Sequence, residues 1–407
     1  MQKHCNRVVT IGLLFLIVLI GLVGCGPFDA KVPHHAEDLG DPSDSPAKQS
    51  PGEGRRSSLE ESKPDVIPLP VEERHYAVKL SAVGDVLIHS SIYKDAQTKD
   101  GYDFVPMLEP IRKYIAEADL AIANQETVIG GTEIGLSDYP RFNSPYEVGD
   151  ALMDLGFHVV SMANNHTLDR GEKAILNAIQ HWRKLGMMYT GAYESAEDQQ
   201  TIRVIEKNGI SFAMLAYTYG TNGIPVPKDK PYLVNLIDPD KVARDIQEAR
   251  KLADVVVVNV HFGQEYVRLP DASQKNFALD AAEAGADLII GHHPHVLQPM
   301  EWIETSDGRK AFVVYSLGNF IAAQEGVYKR IGGILQLDIH MTVRGEERII
   351  EVREPAFIPT WIARTGWRQF SVLPMKEVTE KQLPDVEKYL EETKNHMSRW
   401  MPELHFP

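Results

Sequence analysis

The chain has 407 residues, enough for one large domain with appendages. Hydrophobic residues make up 43% and charged residues 24%, which supports a packed core and excludes wholesale disorder. A formal net charge of −15 excludes a general nucleic-acid binder, which needs a basic face, and two cysteines exclude a disulfide scaffold.

Lys3 and Arg7 form a basic start, followed by an apolar run from Val8 to Val23 that is short for a membrane span. Residues 1–24 therefore read as a secretion signal. The ending Leu22-Val23-Gly24-Cys25 resembles the lipobox of bacterial lipoproteins, which implies cleavage before Cys25 and a lipid on its thiol. The alternative is an uncleaved N-terminal anchor. Either way, the rest of the chain is expected at the cell membrane, on its extracytoplasmic face. Residues 25–75 are rich in Pro, Ser, Gly and charge and lack apolar periodicity, so a disordered tether is expected there.

From Tyr76 onward, short apolar runs each end in polar residues. The run 77–83 ends at Gly84-Asp85, 118–123 at Asn124-Gln125-Glu126, and 158–163 at Asn164-Asn165-His166. The run 209–217 ends at Thr218-Tyr219, 255–260 at His261, 287–291 at His292-His293-Pro294-His295, and 311–317 at Gly318-Asn319. These are Val-, Ile- and Ala-rich runs, several apolar on both faces, as in strands covered on both sides. Helical patterns over 103–117, 146–155, 171–186, 239–253 and 271–285 alternate with them. That alternation predicts an α/β fold with a parallel or mixed sheet. Further on, 336–341 and 347–354 read as a hairpin, and 376–399 as an amphipathic helix split at Pro384. Trp361, Trp367 and Trp400 are either a carbohydrate-stacking set or packing residues.

In such folds ligands bind outside the carboxyl ends of the strands, where these polar clusters fall. Of 15 histidines, His89, His166, His261, His292, His293 and His295 lie in the clusters or within one turn of them. Histidine, carboxylate and asparagine with no thiol at hand suit a divalent Zn, Mn or Fe ion. His293 and His295 are two apart, so an extended segment would turn both rings to one side. His292 faces the other way, as a supporting or a structural residue. Asp85 and His89 share a face if a helical turn begins there. Asn124 and Glu126 lie on one side of a strand end, where a carboxylate can bridge two metals. Asn165 offers an amide oxygen, with His166 free as a general acid, or this stretch is a capped helix entry running to Asp169. Glu265 either orients His261 or is a solvated loop acid. Ser316-Leu317-Gly318-Asn319 reads as a tight turn lining the site.

The segments GDVLIH, NQE, SMANNHTLDRG, HFGQEY, GHHPHVLQ and YSLGNF, in this order across 78–325, resemble the CapA family of bacterial capsule and poly-γ-glutamate synthesis proteins. That family is similar to the calcineurin-like metallophosphoesterases. The resemblance implies a two-layer β-sandwich with mixed sheets flanked by helices, over 76–360, with a C-terminal extension at 361–407. It also implies a two-metal site held by Asp85, His89, Glu126, Asn165, His261, His293 and His295. His166 is then the catalytic acid, with Asp169 in the same motif and Asn124, Glu265, His292 and Asn319 around them. Two steps depart from the phosphoesterase pattern: Asp85-x-x-x-His89 replaces Asp-x-His, and Glu126 replaces a Gly-Asp step. The functions implied are an extracytoplasmic lipoprotein working beside membrane-bound poly-γ-glutamate synthase subunits on an anionic polymer, a free-standing envelope phosphoesterase, or a metal-stabilised scaffold subunit.

Overall fold

The computed structural model describes residues 72–407, so the signal, Cys25 and most of the tether lie outside the described residues. Fourteen strands follow in order. They are β1 (Glu73–Leu87), β2 (Leu120–Asn124), β3 (Val159–Ser161), β4 (Met188–Thr190), β5 (Arg203–Lys207), β6 (Ile210–Thr218) and β7 (Val255–His261). Then come β8 (Leu288–His292), β9 (Leu297–Glu304), β10 (Lys310–Leu317), β11 (Asn319–Ala322), β12 (Ile331–Arg344), β13 (Glu347–Thr365) and β14 (Arg368–Pro374). One sheet runs β14-β13-β12-β1-β2-β3-β4, with β11 also paired to β1; the other runs β5-β6-β7-β8-β10-β9. Both are mixed. In the first, β1 to β4 are parallel and β12 to β14 are added antiparallel.

The two sheets face each other across one apolar layer. Leu80, Ala82, Ile122, Leu335 and Leu337 from the first sheet share a core with Phe212, Met214, Val257, Ile290 and Phe312 from the second. On the outer face of the first sheet, helices Glu147–Leu155 and Gly171–Leu185 pack with Ala121 and Val160. On the outer face of the second, helices Pro239–Leu252 and Ala272–Ala284 pack with Val256, Val258 and Ile289. The valines of β7 thus divide between two cores, which explains a continuous apolar run where a half-exposed strand would alternate. The expected sandwich of mixed sheets flanked by helices is the observed architecture.

Local expectations fared unevenly. The helices over 146–155, 171–186, 239–253 and 271–285 form within a residue or two of their predicted ends. Asp238 and Asp271 cap two of them through hydrogen bonds to Lys241 N–H and Gln274 N–H. The expected helix 103–117 is instead broken into Val105–Leu108, a 3-10 turn Glu109–Ile111, and Arg112–Ala116. Pro106 and Pro110 each start a new turn, because neither ring tolerates an interior helical position. Of the pattern over 376–399, an α-helix forms at Val386–Met397, after Pro384, and a 3-10 turn at Met375–Glu377.

The hairpin β12–β13 forms, but β13 continues to Thr365 and carries β14 with it. A boundary between residues 360 and 361 therefore falls inside a strand, and the C-terminal segment completes the first sheet. Trp361 lies in the inter-sheet core, Trp400 packs edge-on to Tyr315, and Trp367 stays 47% exposed. The three tryptophans do not form one stacking set.

Candidate metal centre

Strand register assembles the site. Asp85, at the end of the central β1, pairs on one side with Asn124 of β2 and on the other with Asn319 of β11. In the second sheet, His261 of β7 is level with Thr218 of β6 and His292 of β8. The carboxyl ends of both sheets' central strands therefore deliver their polar residues to one place. Gly84 makes this possible at β1: a Cβ there would stand 1.8 Å from the Gly318 carbonyl oxygen, the same oxygen that accepts the Asp85 N–H at 2.9 Å.

The paired histidines converge by a route the sequence does not suggest. His293 and His295 have φ of +99° and +56°, so the segment is not extended. Left-handed backbone at two non-glycine residues costs on the order of 1–3 kcal/mol each. The turn around Pro294 brings both rings inward, and pleating plays no part.

Three groups of side chains present ligand atoms within 4.8 Å of one another: Asp85 with Glu126 and His295, Glu126 with His261 and His293, and Glu265 with His293 and His295. Glu126 Oε1 lies 3.6 Å from His261 Nε2 and 3.7 Å from His295 Nε2. Asn165 Oδ1 is 2.8 Å from the same His261 Nε2. His295 Nδ1 lies 3.0 Å from Asp85 Oδ2 and 3.1 Å from Asn319 Oδ1. Asn124 Nδ2 donates to Asp85 Oδ1 at 2.8 Å and lies 3.3 Å from His261 Nδ1, so it braces one residue from each sheet. His292 Nδ1 is 3.9 Å from Asp85 Oδ1, on the flank of the cluster.

His166 and Asp169 form a dyad beside this cluster. His166 Nδ1 and Asp169 Oδ2 are 2.7 Å apart, and the same oxygen accepts the Phe142 N–H at 2.7 Å. His89 joins none of the three ligand groups. The Ala323 N–H donates to its Nδ1 at 3.2 Å, and its ring packs edge-on to Phe142. Four contributors have no place among the sequence candidates. Tyr219 lies over His293 with ring centroids 4.7 Å apart, and Tyr266 faces His295 at 6.1 Å. Asn222 accepts from Asn165 Nδ2, and Phe142 presents its edge to His166. Tyr219 could have been found, since it follows a strand end like the other clusters. Phe142 carries no such signal.

Electrostatics divide the histidines of the site. Burial, reinforced by neighbouring imidazoles, pushes His261 well below the usual histidine value, and burial brings His292 down to about 4 and His293 to about 3. These rings are neutral, as metal ligands must be. Burial opposes the charges on Asp85 and His295, but their mutual attraction outweighs it. Asp85 is held below its usual range, and His295, also drawn by Glu126, rises to about 9. Burial raises the Glu126 carboxyl well above its ordinary value. Among the described residues, both Glu126 oxygens, Asn124 Oδ1 and the Nδ1 atoms of His292 and His293 are buried without a hydrogen-bond partner. Buried polar atoms are rarely orphaned. An N/O donor set of this kind fits a hard or borderline divalent ion.

Fold and site together define an α/β sandwich protein with preassembled nitrogen and oxygen ligand groups at its strand ends. Residues 79–324 match the family described as bacterial capsule synthesis protein PGA_cap, and the chain belongs to that family. It is 29% identical over 310 residues to the PGA biosynthesis protein CapA of Bacillus subtilis (strain 168), covering 74% of this chain and 77% of that one. It is 30% identical over 270 residues to the capsule biosynthesis protein CapA of Bacillus anthracis, covering 63% and 62%. Among solved structures it is similar to the NAD nucleotidase NadN of Haemophilus influenzae, with a TM-score of 0.42 and 14% identity, covering 82% of this chain and 57% of that one.

Proposed function

We propose that this protein is a metal-dependent subunit of poly-γ-glutamate or capsule biosynthesis, anchored to the extracytoplasmic face of the cell membrane through a lipid on Cys25. The family assignment and its CapA relatives support the process. The sequence before residue 26 supports the anchor. Membrane-bound synthase subunits are the partners this reading requires, with the anionic polymer or an ester on it as the substrate.

The site reads as a centre for two divalent ions. Asp85, Glu126 and His295 would hold one, and Glu126, Asn165, His261 and His293 the other. The observation that carries this reading is Glu126, a buried carboxylate with two unpartnered oxygens that belongs to two ligand groups at once. Bound there, the ions would supply Lewis acidity toward an ester or acyl oxygen.

The chain's own residues perform the rest. Asp169 fixes the His166 ring through Nδ1, which leaves Nε2 as the atom that can hold a proton for a departing oxygen. Asn165, clasped by Asn222, aims its Oδ1 at the cluster while its neighbour presents the acid. Tyr219 and Tyr266 pack beside His293 and His295. A purely structural metal site needs no such dyad, which favours hydrolysis over a scaffold role.

The test is the metal content of the full chain purified without chelator, beside a His293→Ala/His295→Ala variant. About two transition-metal ions per chain, lost in the variant, is the expected result. Turnover of a chromogenic phosphodiester by the loaded protein then separates an enzyme from a scaffold. Absence of bound metal even after supplementation would sink the reading.

A further inference from the structure

A row of cations without acidic partners runs outward from the rim of this centre. Asn319, whose Oδ1 touches His295, donates through Nδ2 to the Lys329 carbonyl at 2.8 Å and so ties the segment Val327–Arg330 to the site. Lys329 Nζ stands 4.4 Å from the centroid of Tyr266, the ring that faces His295. Next along, Arg330 lies 4.0 Å over Trp361, and Arg364 lies 3.7 Å over Trp367. Among the described residues, Lys329, Arg330 and Arg364 have no carboxylate within the 4.0 Å that defines an ion pair. Lys329 and Arg330 are neighbours in sequence, and Arg364 is close enough to Arg330 for the two charges to repel.

Their hydrogen bonds leave donors free. Arg330 gives Nε to the Ile362 carbonyl at 2.9 Å, and Arg364 gives Nη1 to the Gly366 carbonyl at 2.9 Å. Among the described residues, the rest of each fork has no hydrogen-bond acceptor. Each guanidinium sits over a ring face, with Arg330 half-buried there. Burial and the neighbouring Arg364 pull Arg330 down to about 10, so the two like charges oppose each other. Glu325 is the acid that faces Arg364, without reaching ion-pair distance.

We propose that Lys329, Arg330 and Arg364 form an anion ledge that grips successive carboxylates of a polymer whose held unit lies at His293 and His295. Planar forks match carboxylates in a bidentate way, and Lys329 supplies the point charge nearest the centre. The ledge would give the site its preference for a chain over a single small ester. This deepens the function proposed above and rests on it for the nature of the polymer.

The experiment is fluorescence anisotropy of a labelled γ-glutamate decamer on the full chain, in chelator, over a range of salt. Working in chelator separates the two ideas, because a chain that holds no metal can still bind through the ledge. Lys329→Gln/Arg364→Gln is expected to weaken binding by about ten-fold or more per cation removed and to flatten the salt dependence. Arg364→Lys should restore part of the loss. Both variants must melt with the wild type. Binding within two-fold of wild type in the double variant would overturn the ledge. So would equal binding of a neutral glutamine decamer, or tighter binding of inorganic polyphosphate of matched charge.

Discussion

Replacing Glu126 by glutamine should move metal affinity and metal-free stability in opposite directions. The amide is isosteric, so no cavity opens, and only the charge is lost. The shared anion of two ligand groups disappears, and the chain should retain at most about one ion where the proposed two-ion centre would hold about two. In chelator the sign reverses. The folded carboxyl is held well above its unfolded value by burial, so folding favours its protonated form and costs stability once pH passes the unfolded value. This penalty is absent below the unfolded value and grows as pH rises toward the folded one. Glutamine mimics the protonated form without that cost. Removing the penalty on a buried charge is worth on the order of 1–3 kcal/mol, or a few degrees of melting temperature in a domain of this size. Scanning calorimetry of the chelated proteins at pH 5 and pH 8 should therefore show curves that nearly coincide at pH 5 and a higher-melting variant at pH 8. A variant that keeps both ions, or melts below wild type at both pH values, would refute the reasoning and make Glu126 a structural residue.

Three further outcomes are expected. Asp169→Asn should leave the metal content intact and lower phosphodiester turnover by about 10–100-fold, because it loosens the ring that carries the proton; loss of metal in this variant would place Asp169 in the wrong role. Gly84→Ala should cost about 3 kcal/mol or more by urea titration, since its Cβ meets a carbonyl oxygen at 1.8 Å in backbone that cannot step aside; a stability equal to wild type would contradict that crossing. His292 lies near 4 when folded and near the ordinary histidine value when unfolded, so its contribution is complete above the unfolded value and drains away as pH falls. At pH 5 that loss is about 2 kcal/mol. His292→Asn in chelator should flatten the acid side of the melting profile, and an unchanged slope would remove this histidine from the account.

Much of this protein was legible in its sequence because local physics repeats along it. A strand buried on both faces must be apolar throughout, so 255–260 announced a covered sheet before any contact was known. Polar residues closing each such run marked the strand ends, and five of them meet in the ligand groups: Asp85, Glu126, His261, His293 and His295. What failed locally failed where one residue type overrode a period, as Pro106 and Pro110 did in the expected helix 103–117.

Tertiary structure decided the rest, because distance across a fold is not written in spacing along a chain. His89 follows Asp85 by four residues yet is drawn off to the Ala323 amide, while Asn319 lies far along the chain and touches His295. The two histidines flanking Pro294 share a site through left-handed backbone, which only the surrounding packing can hold. Phe142, Asn222 and the backbone of Lys329 reach the site residues through loops that no periodicity encodes. Composition and period determined which segments are strands and which ends are polar. Register between β1, β2 and β11, and between β6, β7 and β8, determined which of those ends meet, since a shift of one residue would turn Asp85 or His261 to the opposite face.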